Sequence, residues 1–159
     1  MGKQVKTNAM RILDRLRISY EHLEYECDEF TDGSAVAELL GLDHRQVFKT
    51  LVAKGSDLAH YVFVLPVDES LDLKKCAAAV GVKSVQLIPQ KDLLPLTGYV
   101  RGGCTAIGMK KSFPARIDRS ALDFARIYVS GGRLGSQLLL APWDLAAAAG
   151  AEFADLLQQ

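Results

Sequence analysis

Cysteine and histidine are scarce in this chain, three of each among 159 residues. Cys27, Cys76 and Cys104 form no CxxC pair and no other metal-ligand spacing, which excludes the usual zinc patterns, and their odd number points to reduced thiols in a cytosol. Net charge is lacking too. The 19 basic residues balance 19 acidic ones, so no global field advertises a nucleic acid or a membrane, and any RNA contact has to be local. No stretch approaches the roughly 20 apolar residues of a bilayer-spanning helix. The opening MGKQVKTNAMRIL has no long apolar segment of the secretory kind, and Lys6 stands where a myristoylation signal wants Ser or Thr. The expectation is a cytoplasmic protein with no membrane or DNA partner, no metal and no cofactor.

Internal repeats, low-complexity tracts and Pro/Gly/Ser-rich linkers are missing as well, so residues 1–159 are expected to form a single domain. What is present is the composition of an ordinary globular protein, 49% apolar and 24% charged. TNAMRILDRLR, capped by Thr7 or Asn8, predicts an amphipathic helix, and SYEHLEYE a strand. TDGSAVAELLGL predicts a short helix capped by Thr31 or Asp32 and stopped at Gly41. QVFKTLVAKG and HYVFVLPV read as a hairpin turning at Ser56-Asp57. A helix over LDLKKCAAAVG, a strand at KSVQLIP and a short helix in PQKDLLPLTG follow. ARID, RIYVSGG and SQLLLAP supply further strands, and PWDLAAAAG closes the set as a helix begun by Pro142, with Trp143 expected in the core. Interleaved helices and strands with tight turns favour an α/β fold of the α+β type. The expected architecture is a mixed sheet or partly closed β-barrel surrounded by helices, not a doubly wound parallel sheet.

Three places carry candidate chemistry. TGYVRGGCTAIGMKK, Thr97 to Lys111, holds four glycines in a nearly uncharged run, yet no GK[ST] follows it and it lacks GxGxxG spacing. Gly102 and Gly103 remove two Cβ atoms, so the segment either lets a ligand reach backbone N–H groups or makes a tight turn. In VFKTL, strand alternation sends Lys49 and Val47 to one face and Phe48 and Thr50 to the other. On an inner face Lys49 would need an anion; on an edge strand it would face solvent. In YVSGG, Ser130 lacks the GxSxG context of a nucleophile and fits a hydrogen-bonding hydroxyl at a strand end. His22, His44 and His60 lie near none of these segments in sequence, and Cys104 reads as a small buried residue more readily than as a nucleophile.

In order and separation, VFKTLV, LDLKK, TGYVRGGCTAIGMKK and IYVSGG resemble the YbaK family of aminoacyl-tRNA deacylases, relatives of the editing domain inserted into bacterial prolyl-tRNA synthetases. The resemblance runs from about Asn8 to Leu157. It implies a compact mixed barrel whose pocket accepts the aminoacylated 3′ end of tRNA and clears a wrongly attached amino acid, characteristically cysteine on tRNA(Pro). It implies that Lys49 and the amides around Gly102 carry the reaction, and that Tyr25, Phe30, Thr50, Gly103, Ser130 and Gln137 hold the substrate. Because an aminoacyl ester is already activated, the absence of a catalytic triad fits, and the thiol of a cysteinyl ester could itself attack. Arg101, Lys110, Lys111, Arg116 and Arg119 meet a single acidic residue, Asp118, between positions 101 and 119, a basic stretch for RNA in which Arg101, Lys110 and Lys111 are the expected contacts.

Two positions depart from the family pattern. Thr105-Ala106 stands where members commonly read Ser-Pro, and Gln137 where cysteine-specific enzymes can carry an acidic residue. Alanyl or another small aminoacyl ester is therefore an alternative substrate, and a tRNA- or synthetase-binding module without turnover an alternative function. A prolyl-tRNA synthetase is the candidate protein partner.

Overall fold

The computed structural model describes residues 6–27 and 29–159. Among them the chain forms α1 (Asn8–Arg15), β1 (Glu21–Glu24), α2 (Gly33–Leu40), β2 (Phe48–Gly55), β3 (His60–Pro66), α3 (Leu73–Val80) and β4 (Val85–Leu87). These are followed by α4 (Leu93–Thr97), β5 (Ala115–Asp118), β6 (Ile127–Ser130), β7 (Ser136–Leu140), α5 (Pro142–Ala149) and β8 (Ala151–Ala154). Short 3-10 turns precede β2 and α4 and follow β5. No described helix is long and apolar enough to cross a membrane.

Local chemistry accounts for most element ends. The Thr7 hydroxyl accepts from Met10 N at the start of α1, and Asp32 and Asp72 cap α2 and α3 in the same way. α2 and α3 stop at Gly41 and Gly81, where the pattern placed their ends. Ala9, Met10 and Leu13 of α1 are buried against Phe48, Val64, Ile107, Ile127 and Leu138, so the helix is held by its apolar stripe. Each such large side chain contributes about 1.5–3 kcal/mol on burial.

The strands divide into two sheets, a three-stranded one in the order β1-β7-β6 and a five-stranded one in the order β4-β2-β3-β5-β8. The five-stranded sheet is mixed: β2 pairs antiparallel with β3 and β4, while β3–β5 and β5–β8 are parallel. The mixed α+β class is thus the observed one. In place of a closed ring of ladders, the described residues show two sheets that touch through an isolated parallel bridge, Val47–Tyr128.

Three expectations are corrected. The β2–β3 hairpin turns over residues 56–59 instead of Ser56-Asp57 alone, with Leu58 at φ 69° and the Asp57 carboxylate accepting from Ala59 N. The chain does not end its regular structure at α5, because Ala151–Ala154 adds an edge strand beside β5. Trp143 is 66% exposed and meets Phe153 edge-on, so it is not a core residue.

Candidate active site

A cleft of about 560 Å³ opens along the edge of β2. β4 covers that edge over Ala53–Gly55, and the bridge to β6 meets it at Val47, which leaves the stretch between them without a neighbouring strand among the described residues. Val67 N donates to Val47 O, whereas Ile88 N donates to Val52 O. Odd residues of β2 therefore turn their main-chain groups to β3, and the N–H and C=O of Thr50 turn into the cleft. Because the cleft lies at a sheet edge, it takes side chains from both faces. Val47 packs with Ala37 and Val67, and Phe48 enters the main core, as strand alternation requires.

Lys49 lines this cleft half-buried, and among the described residues no carboxylate or other acceptor reaches it in a direct ion pair or hydrogen bond. Desolvation lowers the pKa of its ammonium below the usual 10.5, opposed by the longer-range fields of Asp68, Asp32 and Glu69. A partly desolvated cation with acidic groups near but not on it stays available to an anionic ligand. The N-terminal turn of α2, Asp32 to Ser34, forms part of the same wall.

Facing the cleft from the glycine segment are Arg101, Gly102 and Cys104. Gly103 N donates to Val100 O at 2.9 Å, closing a tight turn in which Gly102 has φ +85°. The turn and the ligand-facing roles considered for this segment coexist: Gly103 N is spent on the turn, while the N–H groups of Gly102 and Cys104 meet no acceptor among the described residues. A Cβ on Gly102 would lie 2.9 Å from Leu134 Cδ2 and 3.1 Å from Phe30 Cδ1, so the missing side chain is what lets the Phe30 ring sit here. Arg101 lies over that ring, 3.8 Å from Cζ to centroid, and its Nη1 donates to Gln90 Oε1 at 3.1 Å.

Ser130 and Gln137 pair across β6 and β7 and close the inner end. The Ser130 hydroxyl oxygen accepts from Gly132 N at 3.2 Å. Gln137 is 7% exposed; its Nε2 donates to the Tyr25 hydroxyl at 3.4 Å, and its Oε1 is buried without a partner among the described residues. Burial raises the Tyr25 phenol pKa above its usual value.

The structure thus gathers Lys49, Thr50, Phe30, Arg101, Gly102, Ser130 and Gln137 around one cleft. Tyr25 stands one residue back, behind Gln137. Gly103 does not line the cleft; its place is under the Arg133 backbone, where a Cβ would meet Arg133 Cα at 2.9 Å. Lys110 and Lys111 lie outside the lining, Lys110 with Nζ toward Pro95 O at 3.4 Å. The basic stretch does not form one surface: Arg116 is turned onto Ala79 O, and Arg119 faces Asp155. Gln90, Ile88 and Leu93 also line the cleft, though nothing in their sequence context marked them.

Cys104 is in the lining, whereas the histidines lie outside it. Cys104 is buried, which pushes its thiol to about 12 and leaves it protonated at neutral pH. His44 sits between Glu38 and Asp68, at 2.7 and 2.8 Å, outside the lining; its pKa is raised, chiefly by the bond to Glu38. Among the described residues no cluster of three or more His, Cys, Asp or Glu side chains could hold a metal ion.

The chain is similar to several known proteins. Residues 29–148 match the aminoacyl-tRNA editing domain family. Over 154 residues the chain is 41% identical to EbsC of Enterococcus faecalis (strain ATCC 700802 / V583), a protein that carries the name of a Cys-tRNA(Pro)/Cys-tRNA(Cys) deacylase; the alignment covers 96% of this chain and 94% of EbsC. A crystal structure described as a trans-editing enzyme for prolyl tRNA synthetase superposes with a TM-score of 0.81 at 25% identity, covering 98% of this chain and all of that one. A hypothetical protein of known structure superposes at 0.83 with 26% identity, over 93% of this chain and 97% of its own.

Proposed function

Because the chain belongs to the aminoacyl-tRNA editing domain family, we propose that it is a trans-editing deacylase that frees tRNA(Pro) from wrongly attached cysteine, residues 1–159 acting as one domain in the cytoplasm. The observation that carries this reading is that Lys49 and the amides of Gly102 and Cys104, none of them with a direct partner among the described residues, lie in one cleft. An aminoacyl ester develops negative charge on its carbonyl oxygen as it is attacked, and preorganised donors with a nearby cation stabilise that charge. The lysine also suits the terminal ribose or phosphate of the tRNA. Tyr25, Phe30, Thr50, Gly103, Ser130 and Gln137 hold or support the aminoacyl end, and Arg101, Lys110 and Lys111 meet the RNA. The two sheets, bridged at Val47–Tyr128, serve as the walls of a partly open barrel.

No protein nucleophile is required. The sulfur of a cysteinyl ester attacks its own carbonyl carbon, the ester C–O bond breaks, and the thiol proton passes to the departing ribose oxygen. Cysteine leaves as a four-membered thiolactone, which water opens. Cys104, protonated and buried, has no part in this step.

The test is release of amino acid from Cys-tRNA(Pro), Ala-tRNA(Pro) and Pro-tRNA(Pro) with catalytic amounts of protein. Loss of cysteine alone is the expected result. Loss of alanine instead would mean that Thr105-Ala106 and Gln137 have retuned the pocket, and loss of neither would leave a tRNA- or synthetase-binding module. Repeating the assay with prolyl-tRNA synthetase present reads out whether that enzyme is a partner.

A further inference from the structure

Arg101 differs from three other arginines of the chain. Arg45, Arg126 and Arg133 each meet a carboxylate within 3.0 Å, whereas Arg101 has none among the described residues. It is nonetheless held in place. Gln90 Oε1 takes Nη1, the Phe30 ring supports the guanidinium 3.8 Å from its centroid, and the ring is seated in the space that Gly102 leaves by having no Cβ. Both side chains are exposed at the mouth of the cleft, Phe30 at 41%. Of the two aromatic rings that line the cleft, Phe48 is buried at 3%, so Phe30 with its guanidinium cover is the planar surface open to a ligand.

From this geometry, and resting on the deacylase reading, we propose that Arg101 on Phe30 is a stacking platform for the terminal nucleobase of the tRNA. A guanidinium flattened against a ring and anchored by an amide presents its free face as a preorganised plane, and unstacked RNA bases settle on such planes. An aminoacyl ester held near Lys49 carries its base one sugar away, and the lining that contains Lys49 also contains Phe30 and Arg101. Phosphate would also be drawn to an unpaired arginine, but a phosphate contact needs the charge and not the plane.

The discriminating probe is uncharged tRNA(Pro) with 2-aminopurine in place of its last base, titrated with protein while its fluorescence is followed. Wild type is expected to change that fluorescence on binding. Arg101→Lys, which keeps the charge and loses the plane, and Phe30→Leu are each expected to abolish the change and weaken binding about tenfold. Adenosine should compete with the probe and ribose 5-phosphate should not. If Arg101→Lys binds and reports as wild type does, or if ribose 5-phosphate is the competitor, the side chain is a phosphate contact and the platform is overturned. Binding without a fluorescence change in wild type overturns it too. Turnover plays no part in the readout, so a wild-type protein that passes these tests and cleaves no aminoacyl-tRNA would end the deacylase reading and keep the platform.

Discussion

On one side of the molecule Lys75 of α3 donates to Asp155 Oδ1 at 3.2 Å and to Leu157 O at 2.8 Å, while Asp155 also faces Arg119. At the cleft, Lys49 of β2 is half-buried with no direct partner among the described residues. The contrast extends to backbone and amides. Around α3 the helix start is capped by Asp72, and Val82 N returns to Ala77 O behind Gly81. Around the cleft the N–H groups of Gly102 and Cys104 and the Gln137 side-chain oxygen stand without protein partners among the described residues. A half-buried cation, open amides and a buried unsatisfied oxygen gathered in one cleft are the mark of a site that something else completes.

Exchanging each lysine for methionine gives the largest expected effect. Lys49→Met should lower deacylation kcat/KM by about 10²–10³, the scale of losing one electrostatic contact to the transition state, while the melting temperature holds or rises. Lys75→Met should do the reverse, lowering the melting temperature with turnover intact, because its bonds tie α3 to the chain after β8. If Lys49→Met deacylates at the wild-type rate while folded, the lysine has no catalytic role and the contrast between the two sides loses its functional meaning.

Two glycines sharpen the same division. Gly81 has φ +76° with nothing within 4 Å of where a Cβ would stand, and Gly102 has φ +85° with Leu134 and Phe30 inside contact distance. Alanine at either site should cost about 1–2 kcal/mol from the left-handed backbone. At Gly102 it also pushes the Phe30 ring out of place, so deacylation is expected to fall about 10- to 100-fold. Gly81→Ala leaves activity unchanged. Equal activity in both variants would show that the glycine turn is scaffolding and no more.

Gln137→Met tests whether the open oxygen is a cost borne for function. It removes a buried acceptor without a partner at the expense of a long 3.4 Å contact to Tyr25, and should stabilise the fold by about 1 kcal/mol. Deacylation should fall by less than Lys49→Met causes. A loss of stability would mean that the Tyr25 contact outweighs the orphaned oxygen.

Much of this was legible in the residues, and the reasons differ by element. Caps and stops such as Asp32, Gly41 and Gly81 act over one turn, so α2 and α3 end where local chemistry says they should. Ala151–Ala154 was not legible, because an alanine-rich tetrapeptide has little strand propensity and becomes β8 through pairing with β5. For the site, Lys49 and Gly102 stood out by residue type within their segments. Gln90 did not, since its place is set by Arg101 reaching it across the fold. Arg116 and Arg119 are close to Lys110 in sequence, but β5 carries them toward α3 and away from the cleft. Adjacency in sequence says little about a shared surface once a strand intervenes.

The smallest effect is a pH signature that separates charge for function from charge for stability. Burial sets the folded pKa of Lys49 below 10.5, so the native state gives up this proton before the unfolded chain does. Between the folded value and 10.5 the unfolded state binds more protons, and the contribution of this group to stability increases as pH rises through that window. Activity that needs the ammonium runs the other way, declining with pH from the folded value upward. Spontaneous ester hydrolysis, subtracted as a protein-free control, does not share the decline. Wild type should therefore lose its catalysed rate over an alkaline interval in which Lys49→Met, compared by thermal unfolding, gains less stability than wild type does. A catalysed rate that stays level until pH 10.5 would show that the lysine charge is not used.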